Sequence, residues 1–383
     1  MLFENHTPFP AIAWLSVDNQ GKEYSSTVVR VKYLFDTMDE EGLWTLKLDP
    51  DQGELFGEDM FYEDNMEASV QYESDYVAYK PHADLVINAY AHTPVARDFW
   101  TCGVKAVRYT TEAKEPTLLV EQWLKVHGKR YWQDNVTGWS VGKAEPSTKV
   151  SLRYENAFGG VVLDPNVDKE DENAYVEYYE PNPVGKGLIH KILAKEGNIA
   201  LPQVEAVSDP VVKAYMPYTP QGLGFIHRSW HPRLALAGTF DKKWEQVKHP
   251  LMPDDYQEAH NNAAHPNLQL KEKGYFHVGD TIILHKLLKG KETQAFQIPG
   301  IYFKPKYHLK DKELPFYLEI DTVIVDVLED NIKDNAIYIS YRKRVPYSNK
   351  VDKVSLNMIV SQNFIENPPE EETDTSKEEL TRG

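Results

Sequence analysis

The sequence of 383 residues contains one cysteine, Cys102, and this scarcity excludes two kinds of site. A single thiol cannot form an internal disulfide, and it cannot supply the paired thiolates of a structural zinc site. Cys102 follows the apolar residues Phe99 and Trp100 closely. Apolar surroundings raise the pKa of a thiol, so the sequence predicts a buried structural cysteine. A reducing compartment suits such a chain, and we expect a cytoplasmic protein.

Long apolar runs and an excess of basic residues are also missing. No stretch approaches the roughly 20 apolar residues of a membrane span, and residues 1–6 have neither the basic start nor the apolar run of a signal peptide. Lys and Arg number 42 against 59 Asp and Glu, which gives a formal net charge of −17. Neutralising nucleic-acid phosphates requires the opposite surplus. We therefore expect neither membrane insertion nor a nucleic-acid partner.

Motifs of catalysis and cofactor binding are scarce as well. We expect no nucleophile elbow, although residues 138–142 have the Gly-x-Ser-x-Gly spacing, because that spacing needs a strand-to-helix turn to act as one. Gly159 and Gly160 are adjacent, but a phosphate-binding loop needs a Gly-Lys-Ser/Thr ending and a dinucleotide fingerprint needs three spaced glycines, so a tight turn is predicted. His227 and His231 have the i, i+4 spacing of a helical zinc motif, but Pro232 disfavours a helix there. We expect no metal and no cofactor.

Three further histidines, His249, His260 and His265, have Asp254 and Asp255 nearby. Thirteen histidines over the whole chain make such groupings common. The interpretation we favour is a solvated helix surface rather than a set of metal ligands.

Apolar residues make up 41% of the chain and aromatic residues 12%, which is enough for a sizeable core. Several segments alternate apolar and polar residues with the period of two that indicates strands. Val29, Val31 and Tyr33 fall on one face while Arg30 and Lys32 fall on the other. Similar patterns occupy residues 43–48, 84–91, 103–110, 117–126, 323–327 and 337–341, the last two as a hairpin. The sequence predicts a mainly β fold of antiparallel sandwich or barrel-like lobes with a few short helices.

Two helices are predicted, at residues 240–247 and 254–263, with Asp241 and Asp254 as their caps. Composition divides the chain into four parts: a β-rich lobe at 1–160, an acidic, proline-containing linker region at 161–220, a second lobe at 221–365 and an acidic tail at 366–383. The tail is too charged and too poor in apolar residues to offset its ordering entropy, so we expect it to be disordered.

One segment has the composition of a protein-binding surface. Arg228, Trp230 and Arg233 combine guanidinium groups with an indole, residue types enriched where proteins bind each other most strongly. We expect cargo binding around these three residues. The alternative is an arginine stacked on the tryptophan within the chain, at a junction between lobes.

Several motifs resemble one bacterial family. They are R-S-W-H-P-R at 228–233, L-A-G-T-F-D at 236–241, P-L-M-P-D-D-Y at 250–256 and, earlier, R-Y-E-N-A-F-G-G at 153–160. The family is a domain of unknown function associated with type VI secretion effector adaptors, and the resemblance spans roughly residues 8–300. Residues 273–280 depart from the family pattern, and the region after about residue 302 lies outside the resemblance.

The resemblance implies an adaptor or chaperone rather than an enzyme. Such a protein would bind and stabilise a cognate effector or a PAAR-like tip protein in the producing cell and help load it on the VgrG spike. Two alternatives remain open. One is a β-rich glycan-active hydrolase, which would need an aromatic cleft and two carboxyl groups about 5 to 10 Å apart. The other is a structural component of the secretion apparatus.

Overall fold

A computed structural model describes residues 1–110, 114–136, 138–164, 166–168, 175–190, 199–272, 274–309, 312–347 and 351–360. Strand is the most common regular structure, at 47% against 8% helix, which confirms the mainly β fold class. The first twelve strands are β1 (Leu2–Asn5), β2 (Ala11–Val17), β3 (Glu23–Met38), β4 (Leu43–Leu48), β5 (Met60–Phe61), β6 (Val70–Tyr72), β7 (Asp84–Arg97), β8 (Phe99–Arg108), β9 (Thr117–His127), β10 (Trp132–Asn135), β11 (Gly138–Val141) and β12 (Ser147–Ser151).

The other strands are β13 (Phe158–Gly159), β14 (Val161–Leu163), β15 (Tyr175–Tyr178), β16 (Lys186–Gly187), β17 (Val204–Ala206), β18 (Thr281–His285), β19 (Thr293–Gln297), β20 (Ile301–Leu309), β21 (Lys312–Pro315), β22 (Glu319–Val327), β23 (Ala336–Pro346) and β24 (Val351–Val360). The α-helix α1 spans Lys242–Val247, and short 3-10 helices lie at Tyr62–Asp64, Tyr154–Asn156, Arg233–Leu236, Glu258–Asn261, Pro266–Leu268 and Ile332–Asp334.

A curled sheet of twelve strands organises the molecule. Its order is β12-β7-β22-β23-β3-β4-β19-β18-β8-β9-β17, and β2 pairs with the first half of β3. Most neighbours are antiparallel, but β22 runs parallel to β7 and β19 parallel to β4. Strands from the predicted lobes 1–160 and 221–365 thus lie side by side in one sheet. The division into lobes stays a prediction.

The alternating patterns identified the strands of this sheet well. The predicted hairpin forms as β22 and β23, with Val323 opposite Ile339 and Val325 opposite Ile337. In β3, Val29 and Val31 are buried as expected. Arg30, on the other face, is also buried, because β3 lies inside the sheet and the chain covers both of its faces there.

The main core packs strand residues from both ends of the chain, among them Val31, Leu85, Phe296 and Ile339. Cys102 lies in this core and is fully buried, which confirms the predicted structural cysteine. Burial raises the pKa of its thiol well above the ordinary value. A second sheet, β1-β24-β20-β21, has a smaller core that includes Tyr307 and Phe316.

The predicted helix at 240–247 forms as α1, and Asp241 caps it by accepting a 2.8 Å hydrogen bond from the Trp244 N–H. The predicted helix at 254–263 is wrong, since only Glu258–Asn261 is helical, as a 3-10 turn. Buried Asp84 explains the early end. Its carboxylate accepts hydrogen bonds from the Asn262 side chain at 2.9 Å and from the Ala263 N–H at 2.9 Å, which holds the chain extended.

Part of the predicted linker region is also ordered as strand. β15 pairs with β14 in antiparallel register, with Val161 opposite Tyr178, so the acidic composition of this stretch hid a short sheet. The predicted disordered tail at 366–383 lies outside the described residues.

Candidate functional site

The three residues of the predicted protein-binding surface lie together, but they differ in exposure. Trp230 is buried, with its ring edge-on to Tyr154 at a centroid distance of 5.9 Å, and it packs with Ile226 in a small core of its own. Burial lowers the pKa of neighbouring His227, whose ring lies 5.7 Å from the indole. Trp230 therefore joins the segment 226–230 to the turn at residue 154.

Arg233 is also buried, and it holds three parts of the chain together. Its Nη1 lies 2.7 Å from Glu73 Oε1, and the same atom donates to the Ile226 carbonyl at 2.6 Å. Its Nε donates to the His260 carbonyl at 3.0 Å. Glu73 is buried as well, so the negative charge of Glu73 and the positive charge of Arg233 offset each other's loss of water. Arg233 is therefore a positioning residue in the free chain.

Arg228 is the exposed member of the three, with 45% of its side chain accessible. Its Nη2 donates to Asp59 Oδ1 at 2.8 Å and lies 3.5 Å from Glu73 Oε1. The two arginines therefore meet at Glu73, and the partners of both are acids rather than the Trp230 ring. A cargo could contact Arg228 directly, while Trp230 and Arg233 lie beneath the surface. The cargo-binding role of the three residues stays a prediction.

A loop of defined shape begins just after Arg233. We call residues 237–257 the clamped loop, because hydrogen bonds tie its two ends together. The Gln257 N–H donates to the Leu236 carbonyl at 3.0 Å. The N–H and hydroxyl of Thr239 donate to the Asp255 carboxylate at 2.9 and 2.7 Å, and these bonds lower the pKa of that carboxyl.

Contacts within the clamped loop fix its interior. The indole N–H of Trp244 donates to the Leu251 carbonyl at 2.9 Å, and the ring packs edge-on against Phe240 at 4.8 Å. Gly238 has φ +83°, and a Cβ there would lie 2.9 Å from Pro253. A side chain at this position would push the two arms of the loop apart, so the glycine permits their close approach.

The clamped loop exposes large apolar side chains. Phe240 is 53% exposed and Val247 is 77% exposed. Met252, later in the same loop, is exposed as well. None of the six residues of α1 is buried. A helix with no buried residue adds little to the core of its own chain, so core packing does not account for the apolar residues that the loop exposes.

The clamped loop is seated on the turn between β2 and β3. Asn19 in that turn donates to the Asp254 carbonyl at 3.3 Å and to the Pro253 carbonyl at 3.4 Å. Strand β2, which leads into the turn, exposes Leu15 and Val17. The outer strand beside the seat of the loop thus also exposes apolar side chains.

The remaining candidates from the sequence have structural roles. Gly159 and Gly160 have φ +150° and +114°, and a Cβ on Gly159 would lie 2.0 Å from the Asn182 carbonyl oxygen. The glycines therefore admit another backbone segment. The predicted tight turn is wrong, since Gly159 lies in β13 and Gly160 connects it directly to β14. His265 is buried, which contradicts the expected solvated surface, and burial lowers its pKa to about 4.

Neither a group of metal-ligand side chains nor a membrane-spanning helix occurs in the described part of the chain. No group of three or more His, Cys, Asp or Glu side chains there could hold a metal ion. Nor is any helix in these ranges long and apolar enough to cross a membrane.

Sequence reasoning missed Glu73 and Asp59, the acids that meet the two arginines. They lie 155 and 169 residues away from Arg228 in the chain, and nothing local to the motif indicates them. It also gave no role to the exposed side chains of Phe240 and Val247. Their signal was available: Phe240 precedes the cap of a short, charge-rich helix, and Val247 ends that helix.

Comparison with known proteins gives one match. Neither curated proteins nor solved structures provide a similar chain. A family model described as an uncharacterized protein conserved in bacteria, DUF2169, matches residues 20–333, which is more than half of the chain. The match includes the whole clamped loop, and it extends beyond residue 300 to take in strand β22. The chain belongs to the DUF2169 family of conserved bacterial proteins.

Proposed function

We propose that this protein is a type VI secretion adaptor or chaperone, which binds a cognate effector or PAAR-like protein in the cytoplasm of the producing cell and helps to load it on the VgrG spike. The observation that supports a binding role is the clamped loop, with Phe240 and Val247 exposed on a rigid base. The identity of the partners rests on the resemblance of the motifs at 228–233, 236–241 and 250–256.

The physical argument for a binding surface concerns preorganisation. A mobile loop loses conformational entropy when it binds, and this loss weakens the complex. The clamps at Leu236 and Thr239 and the cap at Asp241 order the clamped loop in the free chain. Exposed apolar side chains on such a loop can fill apolar pockets of a partner at a smaller entropic cost.

The predicted surface residues acquire distinct roles in this proposal. Arg228 lies at the exposed edge of the surface. It contacts the partner directly and pairs with an acidic group of the partner in competition with Asp59. Arg233 holds the base of the clamped loop through the His260 and Ile226 carbonyls. Trp230 secures the segment that leads into it.

The test is co-expression with the effector or PAAR-like protein encoded beside this chain. We expect the partner to be more abundant and more soluble with this protein than without it, and to co-purify with it. Phe240→Ser with Val247→Ser should reduce recovery of the partner at least about tenfold, because two apolar contacts of about 1 kcal/mol or more each are lost.

A matched control is available elsewhere on the surface. Phe99 is 56% exposed and Val95 is 65% exposed, on strands β8 and β7. Phe99→Ser with Val95→Ser makes the same chemical change, and we expect normal recovery of the partner. Equal losses in both double variants would contradict the assignment of the surface to the clamped loop. An unchanged solubility and abundance of the partner without this protein would contradict the chaperone function itself.

A further inference from the structure

The outer face of the small sheet β1-β24-β20-β21 carries three lysines, Lys304 and Lys306 from β20 and Lys353 from β24. In β20 the lysines alternate with buried Phe303 and Tyr307, so they lie on the face turned away from the core. We call the three residues the lysine face. The whole chain has a net charge of −17, so a face with more lysines than acids differs from the average surface.

The charges of the lysine face are only partly compensated. Lys306 Nζ lies 3.2 Å from Glu313 Oε2, and Lys353 Nζ lies 3.0 Å from Glu4 Oε2. These side chains are 44% and 32% exposed for the two lysines, so water weakens both pairs. Lys304 lies over a tyrosine ring, with its Nζ 4.4 Å from the centroid, and it has no carboxylate partner within the ranges that the structure describes. The excess positive charge of the face is therefore at Lys304.

This excess lies close to the end of β24. The strand ends at Val360, and Lys304 is opposite Asn357, three residues or about 10 Å before that end. Asp352, the one acid of β24, lies at the opposite end of the strand. Residues 361–383 thus continue the chain from a point beside the uncompensated lysine.

The sequence that follows β24 is complementary in charge to the lysine face. Residues 361–383 lie outside the described residues and contain seven acidic and two basic side chains. A segment of this composition cannot form a core of its own, but a surface of opposite charge can hold it. Its acids nearest to β24 are Glu366 and the glutamates at 370–372.

Going back from Val360, the outer face is first apolar and then basic. Ile359 and Tyr302 lie opposite each other there, and both are half-buried. Lys304 follows two residues further on, and the other two lysines lie two and four residues beyond it, in steps of about 7 Å. The face therefore presents an apolar pair, one lysine without an acid, and then two lysines.

The segment after β24 has its side chains in the same order. Phe364 and Ile365 form an apolar pair, Glu366 follows directly, and two prolines then precede the glutamates at 370–372. Residues 361–363 remain for the chain to reverse its direction. In an extended chain the first of these later glutamates is about 12 Å beyond Glu366, close to the roughly 13 Å between the levels of the first and last lysines of the face.

We propose that residues 364–372 dock on the lysine face of the same chain. The apolar pair packs on the apolar end of the face, Glu366 pairs with Lys304, and the glutamates at 370–372 pair with the other two lysines. The acidic segment thereby covers this surface in the free chain. The disorder expected from composition then concerns residues 373–383.

The experiment is crosslinking of the full chain with a carbodiimide, which joins a carboxylate directly to an amine in contact with it. The protein is kept dilute, the monomer is isolated, and the linked peptides are identified by mass spectrometry. We expect links from Lys304, Lys306 and Lys353 to the glutamates at 366–372. These links should be lost in about 0.5 M salt, because salt screens exposed charges.

Two double variants test the face. Lys304→Glu with Lys306→Glu should lower the yield of links to Lys353 at least about fivefold, because the acidic segment is then repelled from the surface. Lys129→Glu with Lys143→Glu is the matched control, since it makes the same change at two exposed lysines outside the small sheet. We expect it to leave the yield unchanged, and equal losses in both double variants would contradict the proposal.

Three further results would overturn the proposal. They are the absence of these links from the unchanged monomer, links of the same glutamates to Lys129 and Lys143 in equal yield, and links found only in crosslinked dimers. The last result would identify the segment of a second copy as the occupant. All three are measured on the unchanged chain, so the proposal can fail even if a variant does not fold.

Discussion

Several charged side chains lie inside this protein, each beside an opposite charge that the fold supplies. Arg233 lies against Glu73, Arg30 against Asp75 and Arg342 against Asp321. Removing a charge from water is costly, so such a pair contributes little net stability, but losing one partner leaves the other uncompensated. The buried arginines are therefore sensitive to substitution in a way that exposed Arg228 is not.

Arg233 provides the first prediction. Arg233→Met should lower the free energy of unfolding by about 3 to 5 kcal/mol, because Glu73 loses its buried partner. Arg228→Met should change it by no more than about 1 kcal/mol, since the Arg228 side chain is 45% exposed and its ion pairs are open to water on that side. Urea denaturation measures both. A loss below about 1 kcal/mol for Arg233→Met would show that water or the neighbouring Arg228 compensates Glu73. Adding Glu73→Gln should recover part of any larger loss.

Glu205 provides a prediction about pH. Burial would raise the pKa of Glu205, but hydrogen bonds and charge from His127 and Arg130 outweigh it and lower the pKa from 4.5 to about 2. Burial lowers the pKa of His127, so its ring is mostly neutral near pH 7. Arg130 is then the cation that pairs with Glu205. Since the folded pKa is the lower one, this carboxylate stabilises the fold above about pH 4.5, and the stabilisation of about 3 kcal/mol is lost as the pH falls toward 2.

The variant for this prediction is Glu205→Gln. Its difference from the unchanged chain in free energy of unfolding should be largest near neutral pH and should shrink between pH 4.5 and 2. Urea denaturation across this range provides the measurement. Glu245→Gln, at an exposed position in α1 away from Arg130, serves as the control. Its difference in free energy of unfolding should lack the change expected for Glu205→Gln. A constant difference for Glu205→Gln would contradict the assigned pKa.

At the scale of elements, the clamped loop is locally ordered but adds little to the stability of the whole chain. Hydrogen bonds at Leu236, Thr239 and Asp241 give it a definite shape, yet α1 buries none of its residues. The strands have the opposite character, since β3, β22 and β23 bury side chains on both faces. A local change in α1 should therefore leave the core intact.

Asp241→Ala tests this separation. Loss of the cap should destabilise α1 locally by about 1 kcal/mol, so amide hydrogens at 242–247 should exchange about five times faster. The urea midpoint of the whole chain should not change, because no core contact is lost. Hydrogen exchange followed by mass spectrometry measures the first effect and circular dichroism the second. A lower midpoint would show that α1 contributes to the core after all.

At the scale of the whole molecule, the order of the large sheet makes the two ends of the chain depend on each other. β22 and β23, from the second half of the chain, lie between β7 and β3 from the first half. β1 pairs in parallel with β24. The main core is continuous across these strands. Such interleaving makes separate folding of the predicted lobe 1–160 physically unfavourable.

A fragment of residues 1–160 tests this dependence. We expect it to lack a cooperative thermal transition and to aggregate, because β7 and β3 lose their shared neighbours and expose strand edges. Co-expression with residues 161–383 should restore a soluble complex. A cooperative transition of the fragment alone would instead support the predicted division into independent lobes.

The local pattern of the chain determined its elements. Alternation of apolar residues is enough to predict β3, β4, β9 and the β22–β23 hairpin, because one face of each strand must leave water. The setting of Cys102 predicted its burial, and the position of Asp241 before α1 predicted the cap. The motifs of residues 153–256 also pointed to the family.

Only the tertiary structure decided which charges meet and which apolar residues remain outside. Glu73 meets Arg233, and Asp59 meets Arg228, through neighbours that are distant in the sequence. The end of the predicted helix at 254–263 depends likewise on Asp84. Sequence pattern records the balance of apolar and polar residues along a segment, whereas the pairing of charges and the exposure of Phe240 and Val247 depend on which segments become neighbours.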